Sequence, residues 1–567
     1  MSRASLTFID LFSGCGGFTL GMLRAGFDCL AAIDFNEQAI ATLRTNLQAK
    51  SPTSLPPVAF ALHADLTQLR PDTLAAMIGS KEVDVIVGGP PCQGFSTARQ
   101  RDGSNHGDKR LKDDPRRHLF RNFLDHVEHF QPKVFVIENV LGLRSAAGGR
   151  YFTAVQYEAR SLGKTSGRPG YRVHPQIERG TALGVPQKRR RQLIVGVRAD
   201  LPGYFPAELA PAPRALLATM LGDAILDLPV LAAGAGEHET PYDLKRRQVH
   251  FLGGTRDRWR KRYLSHVAEV GASPAIYNHV ARPHSARDLG DFLKLAEGES
   301  SAAAMRRGVE FDFPYDKTTF KDRYTRQHRN KPCSTIVAHL SKDGLMFIHP
   351  VQNRSLTPRE AARVQSFPDW FVFPEARTHA FRVIGNAVPP LIAEGVGRAI
   401  RSFLSPEIAA PTARPTRGHH SLAVAPAFAL PSNRTEAITW LDPLTRADRK
   451  ALRAMTAAEF LRGWHALLWL FPELHPENAL EHGDEEHDAP LSGEAIDRLG
   501  RRYTRSGWPV MLEGFGTEAW RRYLGEEFSD EAFYCIEAQR AGLDARRCTA
   551  ARAPATAPMP TPVPPGR

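Results

Sequence analysis

Short apolar runs recur in the first 200 residues of the chain, and amphipathic segments separate them. Runs that have the length and the polar boundaries of buried strands lie at residues 8–12, 29–33, 83–87, 134–137 and 192–197. Helical spacing of apolar residues follows at residues 19–25 and 119–130. Because the first strand, a glycine-rich turn and a helix follow one another directly, the pattern predicts an α/β fold of the nucleotide-binding type.

The regular pattern is lost after the strand at 192–197. Residues 200–320 have no clear period and many are Pro, Gly, Arg and His, which predicts an inserted, less regular domain. Order returns at residue 332. Thr357, Pro358 and Glu360 then have the spacing of a helix N-cap, first helical residue and capping box. A last helix of this part is predicted at residues 391–403.

A second change of composition follows that helix. Residues 405–433 are rich in Pro and Ala and are predicted to be a linker. Residues 434–549 have large apolar side chains at roughly helical spacing, which predicts a separate helical domain of unknown role. The Pro-rich residues 550–567 are predicted to be a disordered tail.

Composition narrows the class of protein. The 567 residues are 42% hydrophobic and 24% charged, as in a soluble globular protein of more than one domain. We expect a cytoplasmic protein, because no run is long enough to cross a bilayer. The six cysteines are far apart, which argues against a disulfide framework or a structural metal. The net charge of +13 favours a polyanionic partner.

One cysteine stands out by its position. Cys92 follows the predicted strand 83–87 in the segment Gly-Gly-Pro-Pro-Cys-Gln-Gly-Phe-Ser. In open α/β sheets ligands and chemistry lie at the carboxyl ends of strands, and the prolines stiffen the loop that carries the thiol. Cys92 is therefore a candidate nucleophile, although a lone intracellular cysteine is as often buried and inert.

Acidic residues end two further strands. Asp34, with Phe35 beside it, follows the strand 29–33, and Asp65 follows residues 63–64. Carboxylates in these positions suit ribose hydroxyls, and the aromatic ring suits an adenine. The alternative for Asp34 is an ordinary helix cap, shared with Asn36.

The strand 134–137 ends in Glu138, and a basic run enters the strand 192–197. Burial could keep the Glu138 carboxyl protonated, so that it donates a proton, whereas the alternative is an ion pair with an arginine. In strand alternation Arg189 and Arg191 share one face, which we expect to point into the site. A polar loop at residues 97–117 is predicted to be a lid. The basic and aromatic residues 256–263 suit contacts with phosphates and bases, although a solvated helix face would look the same.

Taken in order, these segments resemble the DNA (cytosine-5)-methyltransferase family. The resemblance is carried by FIDLFSGCGGF, DFNEQA, ADLTQL, GGPPCQGFS, ENV, QKRRR, LTPREAARVQSFP and IGNAVPP, between residue 8 and about residue 403. It implies a Rossmann-like domain, dependent on S-adenosylmethionine and without a metal, formed by residues 1–200 and 384–404. Target recognition would lie in residues 201–383, and the partner would be double-stranded DNA. A cognate restriction endonuclease and a monomeric, nucleoid-associated bacterial enzyme are further expectations.

The resemblance also implies roles for individual residues. Cys92 would be the nucleophile, Glu138 would hold and protonate N3 of cytosine, and Arg191 with Arg189 would orient the base. Gln93 and Ser96 would face the DNA. The residues implied for the cofactor pocket are Phe12, Gly14, Gly16, Asp34, Phe35, Asp65, Leu66, Pro90, Asn386 and Val388. The remaining alternatives are a relative that methylates RNA and a catalytically silent DNA-binding protein.

Overall fold

The computed structural model describes residues 5–49, 55–80, 82–91, 118–145, 150–163, 167–201, 205–206, 209–212, 214–217, 219–241, 262–265, 267–269, 272–273, 275–313 and 324–404. The predicted lid at 97–117, the linker, the helical domain 434–549 and the tail lie outside these residues. One compact unit comprises Met1–Arg198 and Phe205–Pro411. The proposed division of the chain into domains stays a prediction.

A seven-stranded sheet forms the core of this unit, with the strand order β3-β2-β1-β4-β5-β7-β6. Strands β1 to β5 are parallel, and β7 pairs antiparallel with both β5 and β6. The strands are β1 Leu6–Leu11, β2 Phe27–Asp34, β3 Phe60–His63, β4 Val85–Gly88, β5 Val134–Asn139, β6 Tyr171–Arg179 and β7 Arg190–Arg198. The prediction of an α/β fold is confirmed.

Helices lie both in the part of the chain that forms the sheet and in the part that follows it. In the sheet-forming part they are α1 Gly17–Arg24, α2 Glu37–Leu43, α3 Pro71–Ile78, α4 Leu119–Phe130, α5 Gly142–Ser145 and α6 Arg150–Ser161. Later in the chain they are α7 Arg214–Leu217, α8 Leu221–Ile225, α9 Ala286–Leu293, α10 Ser301–Arg306, α11 Pro358–Val364, α12 Arg377–Asn386 and α13 Pro390–Leu404. None of the helices within the described ranges is long and apolar enough to cross a membrane.

The last helix returns to the first. Helix α13 packs against α1 so closely that a Cβ on Gly21 would lie 2.4 Å from the Cβ of Ala393, and one on Gly397 would lie 2.5 Å from the Cβ of Ala25. Glycine at these positions removes the side chains that would separate the helices. The chain after residue 384 is thereby brought back to the helix that follows the glycine-rich turn.

Between β7 and α11 the chain is less regular, as its sequence predicts. Strands β8 Gly236–Pro241 and β9 Ala275–Val280 form a two-stranded antiparallel sheet. A separate aromatic core lies nearby, formed by Phe292, Leu295, Ala304, Phe311, Phe313, Tyr324, Leu345 and Ile348. Helix α11 begins at the predicted capping box: Glu360 N donates to Thr357 Oγ1 at 3.2 Å, and Thr357 N donates to Glu360 Oε2 at 2.7 Å. That prediction is confirmed.

Candidate active site

The glycine-rich turn leaves β1 in an unusual backbone conformation. Phe12, Gly14 and Gly16 have φ angles of 62°, 56° and 91°. Glycine adopts this left-handed region without cost, whereas a bulky residue such as Phe12 does so only when its surroundings enforce it. The Ser13 amide donates to Ile33 O at 2.9 Å, which ties the turn to the end of β2.

Asp34, at the end of β2, is hydrogen-bonded to this turn. Its Oδ2 accepts the Gly14 amide at 2.8 Å, and its Oδ1 accepts the Asn36 amide at 2.7 Å. Asn36 caps α2, since its side chain accepts the Ala39 amide at 2.9 Å. The helix cap that was the alternative role for Asp34 is thus filled by Asn36. Burial raises the pKa of Asp34, and the hydrogen bonds from the two backbone amides oppose this.

The neighbouring strand ends place the other predicted cofactor residues at the same edge of the sheet. Phe35 is 71% exposed beside Asp34. Asp65 is exposed and accepts the Thr67 hydroxyl and amide, at 2.8 and 2.9 Å. Leu66, by contrast, is buried in the main apolar core. His63 Nε2 is 2.9 Å from Phe35 O, so β3 supports the loop that carries the exposed ring.

The last motif reaches this edge through Val388. A Cβ on Gly17 would lie 2.2 Å from the carbonyl oxygen of Val388, so only glycine fits at the start of α1. Asn386, at the end of α12, is exposed. Residues far apart in the sequence therefore border one edge of the sheet, although their cofactor role stays a prediction.

The loop that carries the candidate nucleophile begins beside Glu138. A Cβ on Gly89 would lie 3.3 Å from Glu138 Oε2, and Asn139 Nδ2 donates to Pro90 O at 3.3 Å. Pro90 is buried and is the last of the predicted site residues in this loop that the structure describes. Cys92, Gln93 and Ser96 lie outside the described residues.

Glu138 pairs with Arg191 across strands β5 and β7. Arg191 Nε is 2.7 Å from Glu138 Oε1, and the two side chains are 11% and 10% exposed. Arg191 Nη1 also donates to the carbonyl of Arg190 at 2.8 Å. The ion pair weighed as the alternative role of Glu138 is therefore present, and it lies directly beside the cysteine loop. A base entering here would meet a carboxylate and a guanidinium together.

The basic run alternates as a strand should, but Arg189 has its own partners. Lys188 and Arg190 are exposed, while Arg189 is 2% exposed. Its Nη1 donates to Ile336 O at 3.0 Å and its Nη2 to Ala387 O at 2.9 Å. Arg189 is thus on the buried side of the basic run, and its bonds join it to segments far along the chain rather than to Glu138.

Two buried glutamines complete this arrangement and were not singled out from the sequence. Gln187 and Gln365 are both 0% exposed, and Gln187 Nε2 donates to Gln365 Oε1 at 2.7 Å. Gln187 lies in the motif QKRRR, and Gln365 lies in the motif LTPREAARVQSFP. A glutamine has no ionisable or nucleophilic group, so neither residue is an obvious candidate from the sequence.

Comparison with known proteins identifies the family of this fold and site. The family model described as C-5 cytosine-specific DNA methylase matches residues 6–402. This chain belongs to that family. Type II methyltransferase M.DdeI of Desulfomicrobium norvegicum is 33% identical over 410 residues, which cover 70% of this chain and 88% of the relative. Type II methyltransferase M1.HphI of Haemophilus parahaemolyticus is 32% identical over 398 residues, 70% of this chain and 87% of the relative.

A solved structure agrees with the fold. It is described as a DNA modification methyltransferase encoded within an E. coli prophage, and it matches with a TM-score of 0.50 at 27% identity. The match covers 71% of this chain and 100% of that chain. The protein is accordingly a DNA cytosine-5 methyltransferase, and its substrate is DNA.

Family and fold imply S-adenosylmethionine as the methyl donor, and the glycine-rich turn suits it. A Cβ on Gly14 would meet nothing within 4 Å, so open space adjoins the turn. Ser13 Oγ is buried there and has no hydrogen-bond partner among the described residues. Asp34 adds a carboxylate acceptor for hydroxyl groups. Within the described ranges no group of three or more His, Cys, Asp or Glu side chains is arranged to hold a metal ion.

Proposed function

We propose that this chain methylates C5 of cytosine within a specific sequence of double-stranded DNA, by base flipping and a covalent bond between Cys92 and C6. The observation that carries the proposal is the buried pair of Glu138 and Arg191 beside the start of the cysteine loop. Simple DNA binding needs no carboxylate and guanidinium held together next to a loop whose sequence continues to a cysteine. This arrangement therefore argues against a catalytically silent binding protein.

The reaction explains why these residue types are needed. C5 of cytosine is a poor nucleophile because its electrons are delocalised in the ring. Addition of the Cys92 thiolate to C6, with a proton given to N3 by Glu138, breaks this delocalisation and makes C5 nucleophilic. S-adenosylmethionine, when bound, supplies the methyl group that C5 takes up. Loss of the C5 proton to a base then expels the Cys92 thiolate, N3 returns its proton to Glu138, and the aromatic ring is restored.

Arg191 has two tasks in this scheme. Without DNA it fixes the orientation of the Glu138 carboxylate, to which its Nε is 2.7 Å away. With a base in the site, its guanidinium donors can hold the cytosine while Glu138 turns toward N3. C6 and N3 lie inside the stack of a duplex, so the cytosine must be flipped out to reach these groups. Gln93 and Ser96 would line the mouth through which it enters.

The first experiment finds the target. DNA from a methylation-free bacterial host that expresses the chain is sequenced at base resolution for 5-methylcytosine. Methylation at one short recurring sequence is expected, with none in a host expressing Cys92→Ser. Unmodified DNA, from a host with folded protein that binds S-adenosylmethionine, would contradict the proposal and favour an RNA substrate.

The second experiment tests the covalent bond. A duplex with 5-fluorocytosine at the target position cannot lose a C5 proton, so the enzyme should remain attached to it after methyl transfer. We expect a complex that survives denaturing electrophoresis and that disappears in Cys92→Ser. Cys535→Ser is the control, because it removes a thiol outside the part of the chain that matches the family. Absence of the adduct in active enzyme would exclude the mechanism.

The names of the relatives suggest a biological setting. M.DdeI and M1.HphI are both named type II methyltransferases. We propose that this chain likewise modifies one site that a cognate endonuclease would otherwise cut, and that it acts as a monomer. Plasmids methylated by the chain should resist a purified endonuclease of the same specificity, whereas plasmids from the Cys92→Ser host should be cut.

A further inference from the structure

Gln187, Arg189 and Gln365 form a polar cluster in the interior of the protein, which we call the buried junction. The two glutamines are 0% exposed and Arg189 is 2% exposed. Buried polar side chains are stable only when their hydrogen bonds are made, so such a cluster fixes the orientation of whatever it bonds to more strictly than an apolar contact does.

The junction joins four separate segments of the chain. Gln187 Oε1 accepts the Ile336 amide at 3.0 Å, and Gln187 Nε2 donates to Val364 O at 3.1 Å as well as to Gln365. Gln365 Nε2 donates in turn to Ile384 O at 2.7 Å. Through these bonds the segment before β7, the segment at Ile336, the end of α11 and the end of α12 are held in one arrangement.

Two members of the junction meet at the carbonyl of Ala387. Arg189 Nη2 donates to it at 2.9 Å, and Gln365 Nε2 approaches it at 3.4 Å. Ala387 directly precedes Val388, whose carbonyl oxygen lies against Gly17 at the start of α1. The position of the Ala387 carbonyl therefore determines how closely the last motif approaches the glycine-rich turn.

Arg189 directly precedes β7, and Arg191, the second residue of that strand, pairs with Glu138 of β5. Because only Arg190 separates Arg189 from Arg191, a displacement of Arg189 also shifts Arg191. The junction thus fixes the distance between the cofactor side of the site and the base side.

We propose that Gln365 and Arg189 are positioning residues for cofactor binding, which hold Ala387 and Val388 against the glycine-rich turn. The inference rests on the proposed cofactor site at Asp34 and the turn. Neither residue needs to touch the methyl donor. They fix the orientation of Val388 at the border of the cofactor site, and they do so before DNA binds.

The test measures binding of S-adenosylmethionine to the full chain by titration calorimetry, without DNA. Gln365→Met keeps the length of the side chain and removes both its donor and its acceptor, and we expect binding about tenfold weaker, the equivalent of about one lost hydrogen bond. Gln365→Glu keeps the acceptor for Gln187 and removes the Nε2 donor toward Ile384 O and Ala387 O, so it should weaken binding similarly. The second variant also serves if the first does not fold.

Gln156→Met is the matched control. Gln156 is a buried glutamine on α6 that donates to Phe152 O at 3.3 Å and accepts from Arg160 at 3.4 Å, without a bond to any segment of the junction. It should bind the cofactor as the parent chain does. An equal loss of affinity in this control would show general loosening of the fold and overturn the inference.

Asp34→Ala distinguishes a failure of the positioning role from a failure of the proposed cofactor site. If Asp34→Ala binds weakly while both Gln365 variants fold and bind like the parent chain, the positioning role is refuted and the cofactor site stands. If Asp34→Ala also binds like the parent chain, the proposed site itself is wrong. In kinetics, the expected signature of the Gln365 variants is a raised KM for S-adenosylmethionine with kcat little changed.

Discussion

The ion pair between Glu138 and Arg191 offers the sharpest test of the proposed chemistry. The two side chains are 10% and 11% exposed, with Nε and Oε1 2.7 Å apart. Glu138→Gln keeps the size of the side chain and removes its ability to transfer a proton. Because a positioned general acid contributes roughly 10²–10⁴-fold to a rate, the single-turnover rate of methyl transfer should fall by that factor. The loss corresponds to about 2.7–5.5 kcal/mol of transition-state stabilisation.

Arg191→Leu should cause a similar loss, because it leaves the Glu138 carboxylate buried without the group that orients it. If the two residues act as one unit, the double variant should be no slower than the slower single variant. Arg190→Gln is the control, since Arg190 is the exposed neighbour on the other face of β7. Its loss should leave the single-turnover rate at saturating DNA unchanged.

The assay follows transfer of a labelled methyl group to a short duplex that contains the target site. Unfolding in urea is measured in parallel, because removal of one partner of a buried ion pair costs about 3–5 kcal/mol of stability. Rates are compared under conditions where every variant is folded. Strictly additive losses, or a Glu138→Gln rate within about tenfold of the parent, would refute the reasoning.

Three further predictions concern stability and are checked by urea unfolding. Burial raises the pKa of Asp10 from 3.8 to about 7, so the folded chain binds a proton that the unfolded chain releases between these values. Stability should therefore fall as pH rises from 4 to 7, by up to about 1.4 kcal/mol per pH unit, and Asp10→Asn should remove this slope. Gly17→Ala should destabilise the fold, because its Cβ would lie 2.2 Å from Val388 O, whereas Gly290→Ala, with nothing within 4 Å, should not. Thr357→Ala should cost about 1 kcal/mol through the lost cap, with the denaturant dependence unchanged.

Much of the fold could be predicted because its elements follow local rules. The amphipathic period gives helix α4 at Leu119–Phe130, where the structure has it. The apolar runs give strands β1, β2, β4, β5 and β7 to within a few residues, since strands covered on both faces are almost wholly apolar. The cap of α11 could be predicted from three residues, because a capping box is complete within one helical turn.

Strand β6 shows where that reasoning fails. One set of alternate positions carries Arg172, His174, Gln176 and Glu178, and all four are buried. Alternation of apolar and polar residues predicts a strand with one exposed face unless the partners that bury the polar face are known. Some of those partners are distant in the sequence: the Leu209 amide, for example, donates to Glu178 Oε1 at 3.1 Å. The hydrophobic pattern therefore does not predict that this strand is buried on both faces.

Some features of the candidate site could likewise be predicted from the sequence, and others could not. Strand ends predict which residue types gather at one edge of the sheet, and the Asp34 and Glu138 positions follow from this rule. Alternation predicts that Arg189 faces inward, but it cannot predict which of two inward arginines pairs with Glu138. That choice is made by the carbonyls of Ile336 and Ala387, which reach Arg189 only after the chain has returned from the irregular region.

The arginines of α11 join several segments of the irregular region. Arg359 donates to the carbonyls of Tyr277, Pro368 and Phe371, at 2.7, 2.9 and 2.6 Å. Arg363 is fully buried and pairs with Asp227 and Asp369. Burying a charge is costly unless its partners are all in place, so α8, β9 and the segment after α11 must assemble around these two side chains together. This framework cannot vary freely with the DNA sequence that is read. We propose that differences in recognition come from exposed positions such as those of β8, which the buried arginines do not constrain.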